Sequence, residues 1–464
     1  MNKVKPVLTA ITLALALGGC ARSDYHRPDV ATPNNWSAPL TGKAYAANNK
    51  WWQSFGDPKL DALIEKVLQS NNDLAVAALK VKAARLNAGL TNTNLTPDVS
   101  AGIDASKSKD LKHGTSSDAS YSSTLSLSYE VDLWGHLSSA RDAAEWEAIA
   151  TEYDRQESAL ALVGTTADLY WELGYLNQAI ADGKASIEYV KKTLALVEIR
   201  YKAGSVSRLE LLEARQAVAS QESDLASLEQ QRAEDRSALA ILFNHGPETK
   251  EAEPQTLPDQ ALPAVPAGLP AQLLARRPDL QAAEWRLKES LADVDETRDS
   301  FLPTLTLTGS LGTSSDALKN VLENPIGTLG AGLTLPFLEW NTRKYTIKVS
   351  ENAYQQAVVN FRQSIYSAFK DVEDALSARD NYLRQGKALE RYYQAAKEAE
   401  SIAKVRYENG ATDVQDFLDQ QQARRTAELS VVQNRYNQLS NLMTLYQALG
   451  GGAEKTLGPT ASTH

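Results

Sequence analysis

One cysteine in 464 residues, Cys20, rules out a disulfide framework, because a bridge needs two. Two methionines are too few for a relay of soft metal ions. The five histidines (His26, His113, His136, His245 and His464) are scattered, and none stands at metal-ligand spacing from another. There is no glycine-rich phosphate loop. The apolar run from Val7 to Leu17 is too short to cross a bilayer as a helix. A formal charge of −10 argues against a nucleic-acid partner. These absences leave no catalytic residue, no metal site and no cofactor to assign.

What is present starts with an export signal over 1–19. Lys3 and Lys5 precede the apolar run, and Leu17-Gly18-Gly19-Cys20 resembles a bacterial lipobox. That resemblance implies cleavage before Cys20 and its lipidation. Ala21 stands where an Asp typically retains such proteins in the inner membrane, which implies the outer membrane. Residues 20–56 read as an extended arm, polar and dotted with prolines, with Tyr25, Trp36, Trp51 and Trp52 as anchors.

The rest of the chain is a duplication. Arg200-Tyr201-Lys202-Ala203-Gly204 returns as Arg406-Tyr407-Glu408-Asn409-Gly410, 206 positions later. At the same offset Asp73-Leu74 matches Asp279-Leu280, Pro97 matches Pro303 and Trp134 matches Trp340. The copies span 57–243 and 270–450. A linker over 244–269 carries six prolines from Pro247 onward, if Pro270 at its edge is included, and a tail over 451–464 is expected to be disordered. Within each copy, Gly204 or Gly410 ends one long helical pattern, because Gly accepts the left-handed backbone of a last turn. An N-cap candidate with an acid three residues on then starts the next: Ser207 with Glu210, and Asp413 with Asp416. Each motif is thus the tip of a hairpin of two long antiparallel helices.

The first arms of these hairpins are expected over 136–202 and 342–408, roughly 100 Å each at 1.5 Å per residue. Val358, Phe361, Ile365, Ala368, Val372 and Ala375 keep the spacing of a helix–helix core. Shorter helices are expected over 58–94 and 270–300. Between short and long helices the period changes to two. Leu125, Leu127, Tyr129 and Val131 alternate with Ser122, Thr124, Ser126 and Ser128. Strands are expected at 99–108, 121–131, 304–311 and 328–337, two per copy. Their polar faces are Ser, Thr and Gly, as suits a water-filled lumen with the apolar face toward lipid. Four strands cannot close a barrel, and an open edge is not tolerated in lipid, so several chains must share one.

In this order the pieces resemble the TolC-type family of outer-membrane efflux channels, in its lipoprotein branch. The carrying residues are the lipobox, Tyr25-His26-Arg27-Pro28, the segment from Trp52 to Leu63, Arg277-Pro278-Asp279-Leu280, Phe301-Leu302-Pro303, both tips, and Ala448-Leu449-Gly450-Gly451-Gly452. The resemblance implies a homotrimer: a 12-stranded transmembrane β-barrel continuing into an α-helical barrel across the periplasm. It implies a passive exit duct for small toxic compounds. Its partners are a periplasmic adaptor and an inner-membrane pump, and type I protein secretion is the alternative on the same fold. A periplasmic enzyme would need a nucleophile or paired acids in a pocket. A purely structural coiled coil would leave the strands unexplained.

The candidate sites follow. The tips Ala203-Gly204-Ser205-Val206 and Asn409-Gly410-Ala411-Thr412 carry small residues that let an adaptor hairpin approach. Ser207, Glu210, Asp413 and Asp416 serve as caps and first-turn acids. Glu213 and Asp419 lie almost two turns in, where helix-end effects fade. In a symmetric trimer each inward acid becomes a ring of three charges that attracts cations. The resemblance implies a gate of an apolar residue four before an Asp, which falls on Gln415 and Asp419. With Gln415 in the apolar place, closure is expected to rest on hydrogen bonds from Gln415 and Gln422 and on Leu209, with Asp416 and Glu213 alongside.

Overall fold

A computed structural model describes residues 23–36, 50–109, 111–114, 119–263, 275–316, 318–323 and 325–451. The export signal, Cys20, part of the linker and the tail beyond 451 lie outside the described residues. Seven α-helices and four strands are described: α1 (Pro58–Ser70), α2 (Asn72–Thr93), β1 (Asp98–Ser106), β2 (Ser120–Val131), α3 (His136–Lys202), α4 (Arg208–Leu242), α5 (Pro278–Asp299), β3 (Thr304–Ser315), β4 (Pro325–Thr334), α6 (Trp340–Glu408) and α7 (Val414–Ala448). Among the described residues no helix is long and apolar enough to cross a membrane.

Four expected elements have their boundaries corrected. The helix expected over 58–94 is broken at Asn71, which is extended at φ −68° and ψ 130°. Its side chain donates to the Leu242 carbonyl at 2.9 Å and accepts from the Leu74 amide at 3.0 Å, so it caps α2 while tying it to α4. The fourth strand starts at Pro325 and ends at Thr334, because Pro336 opens a short 3-10 turn. Leu335 and Phe337 therefore lie outside it. The third strand runs on to Ser315, and α6 begins at Trp340.

The described residues form two compact units, to which α2, α3 and α6 both contribute. The first holds the sheet. Its order is β1-β2-β3-β4, all antiparallel, so the strands of the two copies join at β2–β3. One face carries the rows Val99·Leu127·Gly309·Leu329, Ala101·Leu125·Leu311·Gly327 and Val131·Leu305·Leu333. The other carries Ser100·Ser126·Ser310·Thr328 and Asp98·Ser128·Thr308·Gly330, with Ile326 its one large apolar exception. The apolar face is open: Ile103 is 84 % and Leu329 92 % exposed. Below the sheet, Trp134 donates from its indole to the Pro303 carbonyl at 2.9 Å, and Asp132 caps α3 through the amides of Leu137 and Ser138. Arg286 bridges Glu147 and Asp154, both at 3.1 Å. The segment from Ser23 lies on α5: Ser23 donates to Asp295 at 2.8 Å, and Tyr25 and Arg27 donate to Glu284. Both carboxylates are buried, and these donors satisfy them.

The second unit has an aromatic core. Trp51 stacks on Tyr446 at 5.1 Å, and Phe55 meets the fully buried Trp171 at 4.9 Å. Prolines that forbid regular structure give the linker free carbonyls to offer. Pro254 accepts from Asn177 at 2.9 Å, and Pro258 accepts from Arg435 at 2.7 Å. Close by, α3, α4 and α7 pack around an acidic group. Burial pushes Asp168 and Asp235 up to about 6, with repulsion from Glu172 adding to both. Burial raises Glu172 as well.

Gly450 closes α7 at φ +89°, and a Cβ there would meet the Arg276 backbone at 2.8 Å. Gly450→Ala should destabilise the chain by more than about 1 kcal/mol and so lower its thermal midpoint. Gly89→Ala, in open helical surface, should hold or raise it. Equal midpoints for the two variants would contradict this reading. The buried acids set a pH dependence. Asp168 and Asp235 bind protons more tightly folded than unfolded, so the native chain holds more protons between about pH 4 and 6, and stability falls as pH rises through that window. Asp168→Asn should therefore match the parent near pH 4 and exceed its melting midpoint at pH 7. A gap independent of pH would show that Asp168 titrates normally.

Candidate functional site

Both tips are built by the same backbone device. The helix α3 ends with Gly204 at φ +73° and α6 with Gly410 at φ +72°. The amides of Ser205 and Ala411 reach back to the carbonyls of Arg200 and Arg406, each at 2.9 Å. The restarts differ. Ser207 accepts from the Glu210 amide at 3.2 Å while Glu210 accepts from the Ser207 amide at 3.0 Å, a reciprocal capping box. Asp413 caps α7 by accepting from the Asp416 amide at 3.2 Å. Glu210 is thus committed to its own cap, whereas the Asp416 carboxylate is a first-turn acid free of that duty.

The tips share one apolar core of Val197, Leu211, Ala403, Tyr407, Val414 and Phe417, with Ala214 and Leu418. Tyr407 stacks on Phe417 with ring centres 5.8 Å apart and planes 11° from parallel. Arg200 lies over the Tyr407 ring at 4.7 Å. Its guanidinium also donates to the carbonyls of Tyr407 at 3.4 Å and Glu408 at 3.3 Å. A cation at the C-terminal end of α6 satisfies orphan carbonyls and opposes the helix dipole. Arg200 therefore ties the first hairpin to the second. Nothing in the sequence marked this role. The only signal was the repetition of Arg-Tyr at both tips.

Just inside the tips the structure gathers acids from both copies. Glu213 is held above the usual carboxylate range, first by partial desolvation and then by repulsion from Asp413, Glu210 and Asp419. The Gln415 amide donates to the Asp419 carboxylate at 2.6 Å, one turn away on α7. Gln422, expected to act on the same acid, donates instead to Thr426 at 3.3 Å, so it takes no part in holding Asp419 in this chain. Leu209 is 64 % exposed and stands outside the shared core. Of the docking residues, Ala203, Gly204, Ser205, Asn409, Gly410 and Ala411 are exposed, and a Cβ on either Gly would meet nothing within 4 Å. Val206 and Thr412 are half-buried, and Val206 packs on the shared core. Among the described residues no group of three His, Cys, Asp or Glu is arranged to hold a metal ion.

Comparison with known proteins agrees with this geometry. The outer membrane efflux protein family matches residues 63–245 and again 269–451, two stretches offset by the 206 positions of the duplication. The pyoverdine export outer membrane protein OpmQ of Pseudomonas putida is 33 % identical over 96 % of this chain and 97 % of its own length. The cation efflux system protein CusC of Escherichia coli O6:H1 is 31 % identical over 96 % of this chain and 98 % of its own. A crystal structure of CusC, from work on its folding and transmembrane channel formation, superposes with a TM-score of 0.83 at 27 % identity, covering 93 % of this chain and 99 % of that one. The duplicated helical hairpins, the four-stranded sheet and these whole-length likenesses identify the chain as a member of the outer membrane efflux protein family, an export channel of the outer membrane.

Proposed function

We propose that three copies of this chain form the passive exit duct of a tripartite efflux system, fed by an inner-membrane pump through a periplasmic adaptor. The sheet carries this reading. It has one open apolar face, one face of Ser, Thr and Gly, and two edges, β1 and β4, that each have a single partner among the described residues. Three such sheets joined edge to edge make a 12-stranded barrel with its apolar face to lipid and its polar face to water. Closure supplies the backbone partners that lipid cannot. Lipid on Cys20 adds a second anchor and aids sorting to the outer membrane. Toxic small compounds are the cargo, in line with relatives named for pyoverdine export and cation efflux. The chain does no chemistry on them.

The tips dock the adaptor through Ala203-Gly204-Ser205-Val206 and Asn409-Gly410-Ala411-Thr412, exposed surfaces without bulk. The gate lies above them. Asp419 rings the narrow end, with Gln415 aiming its carboxylate and Asp416 and Glu213 thickening the negative field. Leu209, bare in one chain, meets a neighbour there. Three carboxylates at a constriction attract cations and repel anions. Exported anions must pass with the ring open or screened.

In planar bilayers, Asp419→Ala should reduce cation selectivity, and Gln415→Ala should raise the open fraction. Unchanged selectivity and cation block in the Asp419 variant would move the gate to Asp416 or Glu213. Deleting the gene should sensitise the cell to toxic compounds, and Ala203→Trp with Ala411→Trp should reproduce that loss while the trimer still forms. Loss of a secreted protein with no added sensitivity would replace efflux by type I secretion.

A further inference from the structure

The two hairpins are copies, yet one tip is covered and the other is bare. Tyr407 is 2 % exposed and its counterpart Tyr201 is 40 % exposed. Leu418 is 8 % exposed and its counterpart Leu212 is 49 % exposed. The second hairpin is covered because the first lies against it, with Arg200 over the Tyr407 ring and on the carbonyls of Tyr407 and Glu408. The counterpart of Arg200 is Arg406. It is exposed, and its guanidinium has no hydrogen bond or ion pair among the described residues.

This joint is head-to-tail: one surface gives the arginine and a different surface receives it. Such contacts repeat until they close a ring. The backbone that receives Arg200 is built a second time at the first tip, since Gly204 and Gly410 close their helices with matching φ and matching hydrogen bonds. We propose that Arg406 of one copy lies over the Tyr201 ring of the next and donates to that copy's Tyr201 and Lys202 carbonyls. The occupant of the bare face is thus the second hairpin of another copy of this chain. The inference rests on the trimeric reading and adds to it the residues of the joint between chains.

The charges favour this partner. Arg406 is a cation, and the end of α3 presents the negative end of a helix whose last carbonyls need donors. The apolar surfaces match as well. Leu196, Ile199 and Leu212 are exposed on the first hairpin, and Ile402 and Val405 on the second. The two kinds of joint are not equal. Phe417 backs Tyr407, whereas the equivalent position behind Tyr201 is Leu211, so the joint within a chain has an extra aromatic stack. The proposed joint between chains lacks that stack.

The test is cross-linking of the full-length protein in outer-membrane vesicles with a short bis-maleimide. The pair Arg406→Cys with Lys202→Cys should shift the chain from monomer to covalent dimer and trimer on denaturing gels, while each single variant stays monomeric and so controls for Cys20. The pair Arg200→Cys with Glu408→Cys, the same joint within a chain, should react without forming oligomers. Folding of the variants is read from a native particle mass of three chains. A three-chain particle in which the Arg200/Glu408 pair reacts and the Arg406/Lys202 pair does not would overturn the joint and leave the trimer standing. A one-chain particle would overturn both.

Discussion

The backbone at the two edges of a four-stranded sheet governs this molecule. Strands β1 and β4 each hydrogen-bond on one side only among the described residues, and the face between them carries Leu, Val and Ile side chains left largely open by the described residues. In water that face aggregates, and in lipid the edges strand unpaired amides and carbonyls. Neither problem has a solution inside one chain. Strand pairing between copies answers both, and it explains why a long chain carries so few strands. The same logic recurs at the tips, where one hairpin is covered by its sister and the other is left bare.

Duplication makes this economical. One design, a short helix, two strands and a long hairpin, is used twice, and the copies then diverge where their surroundings differ. The first tip spends its acid on a capping box, while the second leaves Asp416 outside the cap and gives Asp419 a glutamine partner. The result is a tip region whose acids come from both copies and raise the proton affinity of Glu213 together. Self-repulsion of that kind has to be opposed by contacts elsewhere. Arg200 with Tyr407 and the shared apolar core provide that opposition within the chain.

Much of this was legible in the sequence because it rests on local patterns. Period-two alternation marked the strands, a Gly followed by an N-cap marked each tip, and the 206-residue offset marked the duplication. The hydrogen bond from Gln415 to Asp419 lies at the pair on which the family resemblance placed the gate. What stayed hidden depends on distant partners. The break at Asn71 falls in the polar run from Gln69 to Asp73, and Asn71 is held there by a carbonyl at Leu242. Gln422 found Thr426, four residues away, in place of Asp419. The raised proton affinity of Asp168 and Asp235 comes from the packing of α3, α4 and α7 around them, which no local pattern marks. The reach of Arg200 across to α6 left no local trace beyond the repeated Arg-Tyr.

Electron cryo-microscopy of the full-length protein in lipid nanodiscs tests the central claim most directly. The account predicts a closed barrel of twelve strands, with β1 of each copy hydrogen-bonded to β4 of its neighbour and Leu127 and Leu329 facing lipid. A barrel in which β1 and β4 of the same chain pair with each other, or a sheet left open at these edges, would contradict it.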